Sequence, residues 1–315
     1  MKSGLKILTA FATVSLAVGM TALINKMIAV KAVSQNLLEE TDYAIYNWRF
    51  GRIKYKKYGR GTPILLVHDL EAYASSREWE PLLPLLSQKH TVYILDLLGC
   101  GISEKPSMTY THHIFSHLIT DFIKVEIGKR TSVVASGASS SFVLSSCFTD
   151  ASLFEKIILI SPEPLNQGLL IPGKRAKTYK AMINSPVLGT LLYHISVSKK
   201  NIKRKLLKMG FSKRENLSKE FYKSCYESAH RGLSPKSLYA SLVCNFTKKN
   251  IKGELSGIDN SIIILQGSRL PGADAGLEDF ININPSIEGA WLAGLKRYPH
   301  LEDPVGFYNQ LEVFL

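Results

Sequence analysis

The sequence predicts an α/β protein, with a mainly parallel sheet and helices packed on both faces. Short apolar runs, each bounded by turn signals, recur along the chain, and helical patterns separate them. Parallel strands need a crossover between them, so strands that alternate with helices imply parallel pairing and two covered faces. A further observation lies outside the sheet: no charged residue occurs from Ile7 to Asn25.

That N-terminal stretch comes first in the chain. Its 19 residues, as a helix, reach about 28 Å, close to the thickness of a bilayer core. It reads as an uncleaved membrane anchor. The rivals are a buried helix of a soluble protein and a cleaved signal peptide, for which the apolar stretch is long and no small-x-small site follows closely. Lys26, Lys31 and six Lys or Arg between Arg49 and Arg60 slightly favour a cytoplasmic body, while Lys2 and Lys6 weigh against it.

Residues 43–58 read as an antiparallel hairpin turning at Phe50-Gly51. Buried strands follow at Ile64–Val67, Thr91–Asp96, Thr131–Ala135, Lys156–Ile160 and Ser261–Leu265. Helical patterns lie between them at Trp79–Ser87, His117–Ile127 and Phe142–Phe148. Between the fourth and fifth of these strands there is no strand pattern. Pro172-Gly173, Pro186, Gly189, Gly210, Gly232 and Pro235 divide that region into short helices, an insertion on the α/β core. The expected organisation is an anchor and flank over 1–32, a first core segment over 33–165, a helical basic cap over 166–250 and a second core segment over 251–315.

The chain has 315 residues, 45% apolar and 21% charged, which excludes a disordered chain, a collagen-like repeat and a multi-span membrane protein. Its net charge is +13, but residues 174–250 alone carry 18 Lys or Arg against Glu215, Glu220 and Glu227. The basicity therefore belongs to the insertion, and the remainder is close to neutral. Within it, Ser198–Gly210 reads as an amphipathic helix with Ile202, Leu206, Leu207 and Met209 on one side and cations flanking them. A solvated face and contact with an anionic membrane are the competing readings. Nucleic-acid binding is not expected, because no recognised module accompanies the charge. The four cysteines have no paired spacing, so neither a disulfide framework nor a zinc site is expected.

The chemistry-bearing stretch is Thr131-Ser-Val-Val-Ala-Ser-Gly137-Ala138-Ser139-Ser140-Ser141-Phe142. A buried strand runs into Gly-x-Ser-x-Ser and then a helix, the layout of a nucleophile elbow, with Ser139 as the nucleophile. The competing reading is that these small residues only permit tight strand-to-helix packing.

With this stretch, three flanking motifs resemble the α/β-hydrolase superfamily over residues 43–315. They are Tyr58-Gly-Arg-Gly-Thr-Pro-Ile-Leu-Leu-Val-His68-Asp69, Asp96-Leu-Leu-Gly-Cys-Gly-Ile-Ser103-Glu-Lys-Pro106 and Pro299-His-Leu-Glu-Asp-Pro304. The second is similar to the family's D-x-x-G-x-G-x-S-x-x-P loop and the third to its P-H-x-E-x-P helix start. The resemblance implies an α/β-hydrolase fold with a helical cap and a serine-hydrolase ancestry.

The departures fall on the expected catalytic positions. The family's first strand usually ends in His-Gly, and here it ends in His68-Asp69. Asp69 either opposes a developing oxyanion or caps the following loop. The acid position, G-x-x-D, reads Gly267-Ser-Arg-Leu270, which leaves Glu163 or Asp274 as substitutes. The histidine position is Arg297, which is always charged and cannot accept a proton; His300, the sole histidine in the C-terminal part, either replaces it or serves only the helix start.

Two functions remain. In one, Ser139 attacks small or lipid-like esters, Glu163 or Asp274 orients His300, and the N–H groups of Asp69 and Ser140 form the oxyanion hole. In the other, a catalytically inactive relative binds a ligand, lipid or protein in its cap groove. Neither reading implies a metal or cofactor.

Overall fold

The computed structural model describes residues 2–38 and 42–315; Met1 of the expected anchor and residues 39–41 of the expected core lie outside them. One eight-stranded sheet organises the chain. Its strands are β1 (Ala44–Trp48), β2 (Gly51–Tyr58), β3 (Thr62–Val67), β4 (His90–Leu95), β5 (Thr131–Ser136), β6 (Phe154–Ile160), β7 (Ser261–Gly267) and β8 (Glu288–Leu292), in spatial order β1-β2-β4-β3-β5-β6-β7-β8. The β1–β2 and β2–β4 pairings are antiparallel and the rest parallel.

The alternation of side chains along a strand splits the apolar runs between two cores. Leu65, Val67, Val133 and Leu159 face the layer that holds helices α2 (His112–Phe122) and α3 (Ser139–Thr149). Ile64, Leu66, Val134 and Ile158 face the layer of Trp79, Leu82 and Phe307. Each such fully buried side chain contributes about 1.5–3 kcal/mol relative to exposure, so the central strands cannot shift by one residue without exchanging the two cores.

Three features differ from expectation. Helix α3 starts at Ser139 rather than Phe142, α2 starts at His112 rather than His117, and β8 adds a strand at the sheet edge. The edge strand carries no clear alternation, since Trp291 and Glu288 are exposed and only Leu292 is buried.

The insertion between β6 and β7 contains α4 (Ala176–Asn184), α5 (Leu188–Ser196), α6 (Lys199–Lys205), α7 (Lys219–His230) and α8 (Pro235–Val243). The N-terminal helix α1 (Lys2–Val33) contacts α5 and α7. It contains an apolar stretch, Ser15–Val33, long enough to cross a bilayer. The Asn25 side chain donates to Val187 O at 3.0 Å. Beyond the helix, Glu227 accepts from Leu37 N at 2.7 Å, and Arg77 donates to Leu37 O at 2.5 Å.

Candidate functional site

The parallel strands deliver β3, β5, β6 and β7 to one edge of the sheet, where open α/β folds place their sites. Two loops meet there. The loop after β3 carries His68, Asp69 and Leu70; the turn after β5 carries Gly137 and Ala138, and α3 begins at Ser139.

The turn has its sharp point at Gly137, with φ +54°, while Ala138 already has helical angles. A Cβ on Gly137 would fall against Asp69 Oδ1 and 2.5 Å from Arg297 Nη2. Position 137 is thus the apex from which a side chain would project toward residue 297. Ser139, two residues on, is fully buried and donates its hydroxyl to His68 O at 2.6 Å. Ser139, the expected nucleophile at the apex of the turn, instead lies inside it, and its hydroxyl ties the start of α3 to the loop after β3. The sequence carried a signal for this register, because Ala135-Ser136-Gly137-Ala138-Ser139 places small residues two positions either side of Gly137, as Gly137 and Ser141 flank Ser139.

Asp69 is the centre of the arrangement. Its Oδ1 accepts from Ala138 N at 2.8 Å and Leu70 N at 2.9 Å. Arg297 grips the carboxylate in a bidentate fork, Nε to Oδ2 at 2.6 Å and Nη2 to Oδ1 at 2.9 Å, and Tyr298 Oη donates to Oδ2 at 3.0 Å. Burial of Asp69 favours the neutral acid, but the Arg297 charge and the hydrogen bonds from Arg297, Ala138 and Tyr298 outweigh it and hold the carboxyl below its usual range.

An oxyanion hole on this fold is made by the N–H after the elbow apex together with one from the loop after the first parallel strand. With the apex at Gly137, those groups are Ala138 N and Leu70 N, and both are spent on the Asp69 carboxylate. The N–H groups assigned from sequence were those of Asp69 and Ser140. Instead, Asp69 N donates to Glu78 Oε2 at 3.1 Å and Ser140 N to Gly137 O at 3.3 Å.

The other expected groups do not converge on Ser139. His300 is fully buried, stacked on Trp79 at 4.6 Å, with Nε2 3.0 Å from Glu78 Oε1. Glu163 pairs with Lys248 and lies 3.9 Å from Arg297 Nη2, so it faces a guanidinium rather than an imidazole. Asp274 is exposed in the first turn of helix α9 (Ala273–Ile283), where a carboxylate complements the helix dipole. Leu270 is buried and orients nothing. His68 is held between its own loop and the one after β4, with Nδ1 2.7 Å from Asp69 O and Nε2 accepting from Leu97 N at 3.0 Å.

The flanking motifs do structural work. Asp96 accepts from Ser76 N at 2.7 Å and Ile102 N at 2.8 Å, which closes the Gly-rich loop. Glu302 accepts from Lys296 N at 2.8 Å and Ser212 N at 2.6 Å, fixing the strand-end segment that carries Arg297.

Beside the ion pair lies a cavity of about 280 Å³ between the sheet edge and the insertion. Leu70, Phe142, Leu165, Leu242, Val243 and Phe280 give it apolar walls, and Ser140, Ser141 and Lys248 line it too. Among the described residues Ser140 Oγ, though buried, has no hydrogen-bond partner. No cluster of three or more His, Cys, Asp or Glu able to hold a metal occurs among the described residues.

These features define a doubly covered α/β sheet with a helical insertion over its strand ends. Solved structures share that architecture. A serine hydrolase of carbazole degradation superimposes with a TM-score of 0.69 at 18% identity, over 86% of this chain and 97% of its own. A Bacillus subtilis carboxylesterase, CesB, gives 0.66 at 15% identity, over 94% and 98%. The chain has the α/β-hydrolase fold.

In sequence, the chain is 28% identical over 109 residues to the 2-hydroxy-6-oxo-6-(2'-aminophenyl)hexa-2,4-dienoic acid hydrolase of Metapseudomonas resinovorans, which is 34% of this chain and 38% of that relative. An uncharacterised protein of Mycobacterium tuberculosis matches at 28% over 103 residues, 33% of this chain and 30% of the relative. The matched stretches therefore span under two fifths of those relatives. No protein-family model matches the chain.

Proposed function

We propose that this chain is a membrane-anchored α/β-hydrolase-fold protein that binds a small, lipid-like ligand and does not turn over esters. One observation carries the reading: the Asp69 carboxylate accepts from Ala138 N and Leu70 N and is clamped by Arg297. A fixed negative charge on these donors opposes the oxyanion that acyl transfer must develop. Glycine at the turn apex and arginine where a base is needed support the same conclusion, since neither attacks a carbonyl nor takes a proton.

The adjacent cavity supports ligand binding. Its walls suit an acyl or alkyl body, and the Ser140 hydroxyl suits a polar head that satisfies it. Helix α1, with exposed Leu16, Met20 and Leu23, supports anchoring.

The test measures p-nitrophenyl ester turnover across acyl chain lengths, alongside calorimetric binding of the matching free acids and alcohols. Turnover equal to that of Ser139→Ala and measurable binding that weakens in Ser140→Ala are expected. Ester turnover abolished by Ser139→Ala would overturn the non-catalytic reading.

A further inference from the structure

The amphipathic segment expected to face a membrane, Ser198–Gly210, does not leave its apolar side free. Ile202 and Leu206 are buried in the core of the insertion, against Tyr193 and Phe211. The exposed apolar surface lies elsewhere. On α5, Leu188, Leu192 and Ile195 fall on one face at i, i+4 and i+7 and are 66%, 45% and 55% exposed, while Tyr193 and His194 behind them are buried. Leu170, Ile171 and Met182 add further exposed apolar side chains on the preceding segment and α4.

This surface adjoins the apolar helix. Asn25 ends the charge-free stretch that starts at Ile7, and its side chain holds Val187 O, one residue before α5. Thr21, Asn25, Ile28, Ala29, Ala32 and Val33 of α1 are shielded or partly shielded there, whereas Leu16, Met20 and Leu23 are exposed. If α1 crosses a bilayer as proposed above, its exit point sits at the start of α5. The 32-residue helix is about 48 Å long, enough to span the hydrocarbon and still dock its last turns on the insertion.

Charge selects the kind of surface met there. No acidic residue occurs between Glu163 and Glu215, while 12 Lys or Arg do. Lys174, Arg175 and Lys177 are exposed beside the apolar residues. An apolar face bordered by cations without acids matches the headgroup boundary of an anionic bilayer.

We infer that the face formed by residues 169–195 seats in the surface of an anionic bilayer next to the point where α1 leaves it. The insertion is then held against the membrane at two places, the helix and this face. Leu165 and Gly168 line the cavity and Leu169 to Ile171 follow them directly, so the cavity rim is continuous with the seated face.

The inference rests on the anchoring reading, and the experiment separates the two. Single cysteines are introduced in the full chain at Met20, Leu192 and Val125 (Met20→Cys, Leu192→Cys, Val125→Cys). Val125 is exposed just before β5, at the opposite end of the parallel strands. The four native cysteines are buried, so an environment-sensitive thiol dye reports the new site. Each protein is reconstituted in phosphatidylcholine vesicles containing about 30% phosphatidylserine, and quenching is read with doxyl-labelled lipid and with aqueous iodide.

Lipid quenching at 20 and 192, and iodide quenching at 125, are expected. Charge reversal by Lys174→Glu with Lys177→Glu should lower lipid quenching at 192 about two-fold or more while leaving position 20 unchanged. Iodide quenching at 192 with lipid quenching at 20 would overturn the seating and leave the anchor intact. Protection of 192 from both quenchers would overturn it in favour of a protein contact. Iodide quenching at 20 would overturn the anchoring reading itself.

Discussion

At the sheet edge, Asp69 and Arg297 neutralise each other largely out of solvent, and the backbone donors around them are bound within the chain. In the helical insertion, Leu188 and Ile195 face outward and a long run of sequence carries cations without acids. The first region has the strand-end frame of the α/β-hydrolase fold, and two of its backbone donors are taken up by Asp69. The second leaves its surface open to something outside the chain. On the function proposed above, the ion pair stabilises the sheet edge, and recognition falls to the cavity and the insertion.

The comparison breaks most visibly if the ion pair is cut. Asp69→Ala strands the Arg297 guanidinium and should destabilise the fold by about 3–5 kcal/mol, read as a lowered urea midpoint. A change within error would mean the pair is not the keystone of the sheet edge. Gly137→Ala puts a side chain at a positive φ and against the ion pair, with an expected loss of about 1–3 kcal/mol in the same assay. A neutral result would move the apex of the turn away from position 137.

Acid sharpens the contrast, because each region holds a buried histidine. Burial lowers His112 in the core to about 3 and His230 in the insertion to about 4. Unfolded histidine titrates near 6.5. The unfolded chain thus takes up protons that the folded chain refuses, and stability should fall as pH drops from about 6.5 toward 4. His112→Phe and His230→Phe should each flatten part of that slope. Asp69 acts lower. Its depressed folded value means its contribution is present above about 4 and is lost as pH falls below that. Denaturant midpoints measured against pH should show the second fall in the unaltered chain and not in Asp69→Ala.

The smallest effect is expected at Ser139. Ser139→Ala removes the hydrogen bond to His68 O and should cost about 1 kcal/mol, with no change in ester turnover.

The central strands were legible because both their faces are buried, so their apolar runs are continuous between turn signals. The edge strand β8 was not, since half of it meets solvent and no alternation marks it. Arg297 and Leu270 were readable at the site because their chemistry is wrong for the places the resemblance assigns them. Sequence leaves the role of Asp69 as two alternatives, capping or opposing charge; the capping is seen in its bonds from Leu70 N and Ala138 N. The apex of the turn was ambiguous in principle: small residues flank both Gly137 and Ser139, and only the backbone angle distinguishes them. The amphipathic pattern of 198–210 was real, but a pattern cannot say whether its apolar side meets a membrane or the rest of the insertion.

The most direct test is covalent. A fluorophosphonate probe labels a serine only where a base activates it and an oxyanion hole receives the developing charge. Folded, full-length protein treated with such a probe and analysed by peptide mass should show no more adduct on Ser139 than Ser139→Ala shows at that peptide. Stoichiometric labelling of Ser139 would contradict the account, because it would require the donors now held by Asp69 to be free for catalysis.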